Sequence, residues 1–216
     1  MSEVSAGLVK ELREKTGAGM MDCKKALSES GGKLEEAIEI LRKKGLKDIG
    51  KRATKIAAEG MVGFYSHAGG QVAAMVEVNC ETDFVARSED FVELSKGLAM
   101  HIAAMRPTYV TETEVPTAVL DKEKEILIET LDEKQKAMAD KILPGKLKKF
   151  FEDNCLLDQS YIRDDSKSVK DIINEVSIKC GEKITVRRFT CFKVGEGIEK
   201  AQGDFLAEVE AAITGN

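Results

Sequence analysis

Apolar residues recur three or four positions apart along much of the chain, and alternate in a few short runs. Val4, Leu8 and Leu12 fall at i, i+4, i+8, one face of a helix. Thr16-Gly17-Ala18-Gly19 breaks that run. Met20, Cys23 and Leu27 then give i, i+3, i+7 on a second helix, and Ser30-Gly31-Gly32 turns the chain again. Leu34, Ala37, Ile38 and Leu41 predict a third helix. Arg42, Lys43 and Lys44 suit the negative end of its dipole, and Gly45 supplies a stop. These helices define a small N-terminal domain over residues 1–47. A basic tether, residues 48–58, follows with little apolar periodicity and is open to being partly helical.

Beyond the tether the period changes. Met61 to His67 and Val72 to Val78 read as strands around Gly69-Gly70, a two-residue hairpin signal. Ser88 can cap a helix whose stripe is Phe91, Leu94, Leu98, Ile102 and Met105, stopped by Pro107. Leu120 to Leu131 and Met138 to Ile142 are helical patches rich in Glu and Lys. Pro144-Gly145 interrupts them before Leu147 to Phe151 resumes. They predict an antiparallel helical projection over about 120–155, inserted in the core. Ser168 and Asp171 form a capping box before Val169, Ile172, Ile173, Val176 and Cys180, and Gly181 ends that helix. Ile184 to Val194 is a long strand and Phe205 to Ile213 a closing helix. The fold class is α+β: a small antiparallel sheet packed with helices over residues 59–216.

Composition narrows the function. The net charge of −5 argues against nucleic acid as the main partner, since duplex binders carry a basic excess. No apolar run approaches the ~20 residues of a membrane span, and the charged start lacks a signal-peptide stretch, so a cytoplasmic protein is expected. Five cysteines form no CxxC pair, which suits free thiols in a reducing compartment. With two histidines a metal site is poorly supplied, and neither metal nor cofactor is expected.

Candidate chemistry is sparse. No Gly-x-x-x-x-Gly-Lys-Ser/Thr or post-strand Gly-x-Gly-x-x-Gly is present. Cys80 and His67 are separated by an extended strand, too far for a nucleophile and its base. Glu81 and Asp83 alternate on a loop without a positioned histidine. His101 lies near an apolar stripe and suits a structural role. His67 sits at a hairpin tip, two residues from Tyr65 on the same face, either solvated or a contact residue. The seven cations and one acid from Arg42 to Lys55 suit a solvated helix end and linker, or a ribosome or RNA contact.

Two places resist a plain structural reading. Met20 and Met21 cannot both point into so small a core, and an exposed methionine is an adaptable apolar probe. Phe84 follows the polar run Glu81-Thr82-Asp83, outside both the strand alternation and the helical stripe. It either staples its loop to the core or anchors an interface.

The run Leu12–Leu27, centred on Thr16-Gly17-Ala18-Gly19-Met20-Met21-Asp22-Cys23-Lys24-Lys25, resembles the N-terminal signature of the elongation factor Ts family. Glu77-Val78-Asn79-Cys80-Glu81-Thr82-Asp83-Phe84-Val85-Ala86 resembles its second signature. Arg187-Arg188-Phe189 and Gly195-Glu196-Gly197-Ile198-Glu199-Lys200 also match. The resemblance implies a three-helix, ubiquitin-associated-like N-terminal domain, an α+β core and a helical hairpin projection. It implies no enzyme, but a guanine nucleotide exchange factor that binds elongation factor Tu with GDP and speeds GDP release. Carried over by position, the N-terminal contact surface is Leu12, Arg13, Met20, Met21 and Lys24. The segment that intrudes near the GTPase's magnesium site is Thr82, Asp83, Phe84 and Val85, and Tyr65 and His67 form a hairpin-tip contact.

The chain also departs from the family's longer members. One hairpin carries both the His tip and the Asp-Phe wedge, so one core half is missing and a homodimer through the edge of Ile184–Val194 is expected. Cys191 on that strand could then cross-link two copies. The projection is short, and Lys33 replaces an acidic cap before the third helix. A general adaptor would use Met20 and Met21 but leave Phe84 unexplained. A cysteine enzyme would need Cys80 and His67 to meet.

Overall fold

The computed structural model describes residues 4–198. Helix α1 (Ala6–Thr16) starts at Ser5, whose hydroxyl accepts from the Leu8 amide at 3.2 Å, and ends at Gly17 in a left-handed turn. Helices α2 (Met20–Glu29) and α3 (Leu34–Arg52) pack on it. Val9, Leu12, Cys23, Ala26, Leu27, Ala37 and Leu41 bury together as a separate small core. Lys33 gives α3 no side-chain cap; its ammonium pairs instead with Glu36 at 2.7 Å.

α3 does not stop at Gly45 as its sequence predicts. It runs on to Arg52, and Gly45 is buried inside it. The reason lies far along the chain. A Cβ at Gly45 would sit 2.5 Å from Ile178 Cδ1, so glycine here permits close helix packing rather than a helix end. Only residues 53–58 remain between α3 and the first strand.

Strands β1 (Glu59–His67) and β2 (Val72–Cys80) form an antiparallel hairpin. His67 pairs with Val72, so the connection spans residues 68–71 and not Gly69-Gly70 alone; Ala68, Gly69 and Gly70 all take positive φ. A one-turn helix α4 (Asp83–Ala86) leads to α5 (Glu89–Met105), capped by Ser88 as predicted. Gly63 lets α5 lie close to β1, because a Cβ there would meet the Ser95 carbonyl oxygen.

The projection is α6 (Thr117–Glu129), α7 (Glu133–Lys136) and α8 (Ala139–Asn154). α8 passes through Pro144, where the sequence predicts a break. Pro144 stands early in the helix and removes one backbone bond. The half-buried Leu143, Leu147 and Phe150 keep helical spacing across it while α8 packs on α6.

A two-stranded ribbon, β3 (Ser160–Tyr161) and β4 (Asp164–Ser168), is absent from the sequence reading, because Asp164-Asp165-Ser166-Lys167-Ser168 has no apolar alternation. α9 (Val169–Cys180) carries the expected capping box and ends at Gly181. β5 (Thr185–Lys193) joins the hairpin to give the order β1-β2-β5. Ala74, Val76 and Val78 of β2 bury against Phe91, Leu94, Leu98 and Ile102 of α5, with Val169 and Ile173 of α9 beside them. The architecture is α+β. The predicted helix Phe205–Ile213 lies outside the described residues.

Candidate partner interface

Strand β2 delivers the chain to the Thr82–Val85 segment. Cys80, fully buried, ends the strand and its thiol donates to the Thr82 carbonyl at 3.1 Å. Thr82 is the N-cap of α4: its hydroxyl accepts from the Val85 amide at 3.4 Å. At the other end the Ser88 hydroxyl donates to the Val85 carbonyl at 2.8 Å and accepts from the Phe91 amide. The turn splits its two apolar residues. Val85 packs against the core, while Phe84 is 85% exposed. Of the two readings open for Phe84, the staple is thereby removed: its ring holds nothing down. Asp83 beside it pairs with Arg87 at 2.8 Å.

The same segment is tied to the α9–β5 connection. The Glu182 carboxylate accepts from the amides of Glu81 and Thr82, each at 3.0 Å, and from the Thr82 hydroxyl at 2.6 Å. In return the Glu81 carboxylate accepts from the Lys183 amide at 2.8 Å and lies 3.4 Å from the Lys55 ammonium. That amide hydrogen bond, helped by the Lys55 charge, holds the Glu81 carboxyl below its ordinary range. The Lys183 ammonium donates to the carbonyls of Ala53 and Lys55 at 2.7 and 2.9 Å.

At the N-terminal tip, both Met20 and Met21 are exposed, at 58% and 66%. α2 begins after Gly19 with no side-chain cap, and its first turn is tied to α3 by the Asp22–Lys44 pair at 2.5 Å. Arg13 and Lys24 are also exposed. Leu12 is not: it is fully buried in the three-helix core, and as a contact residue it is corrected to one that shapes the tip from beneath. Its place in the stripe with Leu8 gives the physical reason, since that stripe faces α2 and α3. The three-helix unit docks on the core where α3 meets α9, through Gly45 and Ile178.

Tyr65 and His67 share a face as expected. The Tyr65 hydroxyl lies 3.1 Å from His67 Nδ1 and the rings stack at 6.0 Å. Tyr65 leans on the core and His67 is exposed. They stand at the far end of β2 from Thr82, roughly 26 Å (Tyr65) and roughly 33 Å (His67) away along the strand. Cys80 and His67 are therefore apart, and burial with the nearby Glu182 charge pushes the Cys80 thiol up to about 11. A poised thiolate needs the opposite shift.

His101 is fully buried. It accepts from the Ile162 amide at Nδ1, 3.2 Å, so its proton sits on Nε2 and reaches Gln159 Oε1 at 2.9 Å. Burial holds its pKa below the usual value.

The sheet face away from α5 is apolar. Val62 (55%), Phe64 (75%), Met75 (48%) and Phe192 (67%) are exposed on it, bordered by Glu77 with Arg187 and Arg188 at 3.0 and 2.7 Å. β5 pairs only with β2 among the described residues, so it is an edge strand. Cys191 on it is half-buried against the inner core, which raises its pKa. Among the described residues no helix is long and apolar enough to cross a membrane.

Sequence reasoning missed Glu182 and Lys183. No local pattern marks them, because both act on segments a hundred residues or more away.

A family model described as Elongation factor TS matches residues 3–196. The chain is 54% identical over 215 residues to the Elongation factor Ts of Desulforamulus reducens, covering 99% of each. It is 55% identical over 201 residues to that of Moorella thermoacetica, 92% of this chain and 99% of the relative. It is 54% identical over 215 residues to that of Myxococcus xanthus, 99% of each.

Proposed function

Because the chain belongs to the elongation factor Ts family, a family of translation elongation factors, we propose that it is a guanine nucleotide exchange factor acting on elongation factor Tu. It binds the GTPase with GDP and releases the nucleotide by disturbing its magnesium site. The observation that carries this reading is Phe84, 85% exposed on a turn fixed at both ends. An exposed phenyl ring on so short a helix contributes nothing to the core, and it is shaped to enter a partner.

GDP is held largely through its phosphates and their Mg²⁺. Phe84 and Asp83 displace groups that compensate that charge, and the nucleotide loosens. Exchange factor and GDP then weaken each other by the same factor, as linkage requires. No bond is made or broken, so no nucleophile is needed. Met20 and Met21, with Arg13 and Lys24 around them, grip a second surface of the GTPase, and Tyr65 with His67 a third. The protein works in the cytoplasm with no nucleic acid or membrane of its own to bind.

Release of fluorescent GDP from elongation factor Tu tests the reading. The chain accelerates release, and Phe84→Ala cuts the acceleration about 30-fold, the effect of losing ~2 kcal/mol at an interface anchor. No acceleration by the parent chain overturns the exchange function and leaves an adaptor. Full acceleration by Phe84→Ala moves the mechanism to the tip.

The partner set includes a second copy of this chain. The β5 edge and the apolar face around Phe64, Met75 and Phe192 offer a symmetric surface for it. Sedimentation at micromolar concentration gives the dimer mass; a strictly monomeric mass sinks the dimer.

A further inference from the structure

Glu182 sits just past Gly181, in the connection from α9 to β5, and the function proposed above gives it no task. Its carboxylate nevertheless takes three donors from the segment that leads into Phe84: two backbone amides and one hydroxyl. Those amides belong to Glu81 and Thr82, one and two residues beyond the last paired position of β2. The ladder has ended there, and α4 has not begun, so strand and helix alike leave the two N–H groups without a partner. One oxygen of Glu182 serves both.

The other oxygen does something further. It accepts the Thr82 hydroxyl proton at 2.6 Å, and that same hydroxyl accepts from the Val85 amide. Committing the proton to a carboxylate points the hydroxyl lone pairs at α4. The order is Glu182 to Thr82 to the Val85 backbone, and Phe84 lies between the last two. A helix this short cannot sustain itself, because a single turn fixes several dihedrals for one or two hydrogen bonds. α4 therefore borrows its geometry from its ends. Ser88 holds the C-terminal end, and the Glu182–Thr82 pair holds the start.

Glu182 is itself seated. The Ser177 hydroxyl donates to its carbonyl, and the next residue, Lys183, gives its amide to Glu81. The two connections thus exchange carboxylates, each accepting from the other's backbone.

We infer that Glu182 is a positioning residue for nucleotide exchange: through Thr82 it fixes the one-turn helix from which Phe84 projects. This rests on the reading of Phe84 as the wedge. Preorganisation of that kind lowers the ordering cost when the wedge enters its partner.

The chain contains no tryptophan, so Phe84→Trp places a single emitter on the turn. In that background, time-resolved anisotropy of the free chain reads the local motion of position 84. Glu182→Gln keeps the shape but loses the charge and the acceptor facing the Thr82 hydroxyl. It enlarges the fast anisotropy decay and, with the native Phe84, slows stimulated GDP release about tenfold, the effect of one lost charge-assisted hydrogen bond. The affinity for the GTPase falls much less than the maximal release rate. Thr82→Val reproduces both effects, Thr82→Ser restores both, and Glu182→Gln with Thr82→Val is no worse than either alone. Should Glu182→Gln lose its circular dichroism, Thr82→Val decides, since it leaves the Glu182 bonds to the backbone in place. Parent-like anisotropy in Glu182→Gln and Thr82→Val overturns the positioning role. Failure of the parent to release GDP overturns the exchange reading instead, and the anisotropy of the free chain still separates the two.

Discussion

Two of the exposed apolar features among the described residues, the Met20–Met21 tip and Phe84, are built in opposite ways. Met20 and Met21 ride on a helix start that has no side-chain cap, over a core of seven buried residues. Phe84 rides on a turn with a capped start, a capped successor and a carboxylate from a distant connection behind it. The side chains match their mounts. Methionine is flexible and polarisable and adapts to what it meets. Phenylalanine is rigid and has to arrive already aimed. On the exchange reading proposed above, one site suits holding a partner and the other suits deforming it.

The comparison breaks most severely at Leu12. Leu12→Ala removes a fully buried side chain from the smaller core, a loss of about 2–5 kcal/mol. Amides of α1, α2 and α3 then exchange rapidly in hydrogen exchange, while those of α5 keep their protection. Equal loss in both regions shows instead that the three-helix unit and the core unfold as one.

Leucine at each exposed site sharpens the comparison. Phe84→Leu slows stimulated GDP release about tenfold, because a smaller flexible side chain no longer fills the space of an aimed ring, ~1.4 kcal/mol in a well-packed pocket. Met21→Leu changes release less than about twofold, since leucine serves an adaptable contact nearly as well. Equal sensitivity at both sites removes the distinction between grip and wedge.

The smallest effect comes from acid. Burial keeps His101 below its ordinary value of 6.5, so the folded chain favours the neutral ring. As pH falls below 6.5 the unfolded chain takes a proton that the folded chain refuses. Stability is lost progressively until the folded ring titrates as well. Both histidines of the chain lie in the α+β domain and not in the three-helix unit, His67 exposed on β1 and His101 buried on α5. Melting between about pH 7.5 and about 5 therefore lowers the core transition more than that of the three-helix unit. His101→Asn flattens the slope; an unchanged slope removes His101 as its source.

What the sequence disclosed follows from how far each feature reaches. The Ser88 cap, the Ser168–Asp171 box and the Gly181 stop are legible because a cap is settled within four residues. Phe84 stood out because it obeyed neither the strand period nor the helix period. The continuation of α3 past Gly45 was not legible, since Ile178 decides it. Leu12 fitted both a surface motif and an apolar stripe, and burial against α2 and α3 chose the stripe. The role of Glu182 depends on a segment a hundred residues earlier, which no local window contains.

The connector over residues 53–58 has a further consequence. Lys183 grips the carbonyls of Ala53 and Lys55, so a segment that would reach about 20 Å when extended is held short. The three-helix unit cannot wander at the end of a loose leash. A protein that offers two grips at a set span behaves as a bivalent ligand: once one end has landed, the other meets its target at a high effective concentration. Two modest contacts then multiply. On the exchange reading proposed above, letting go requires only that one end open first.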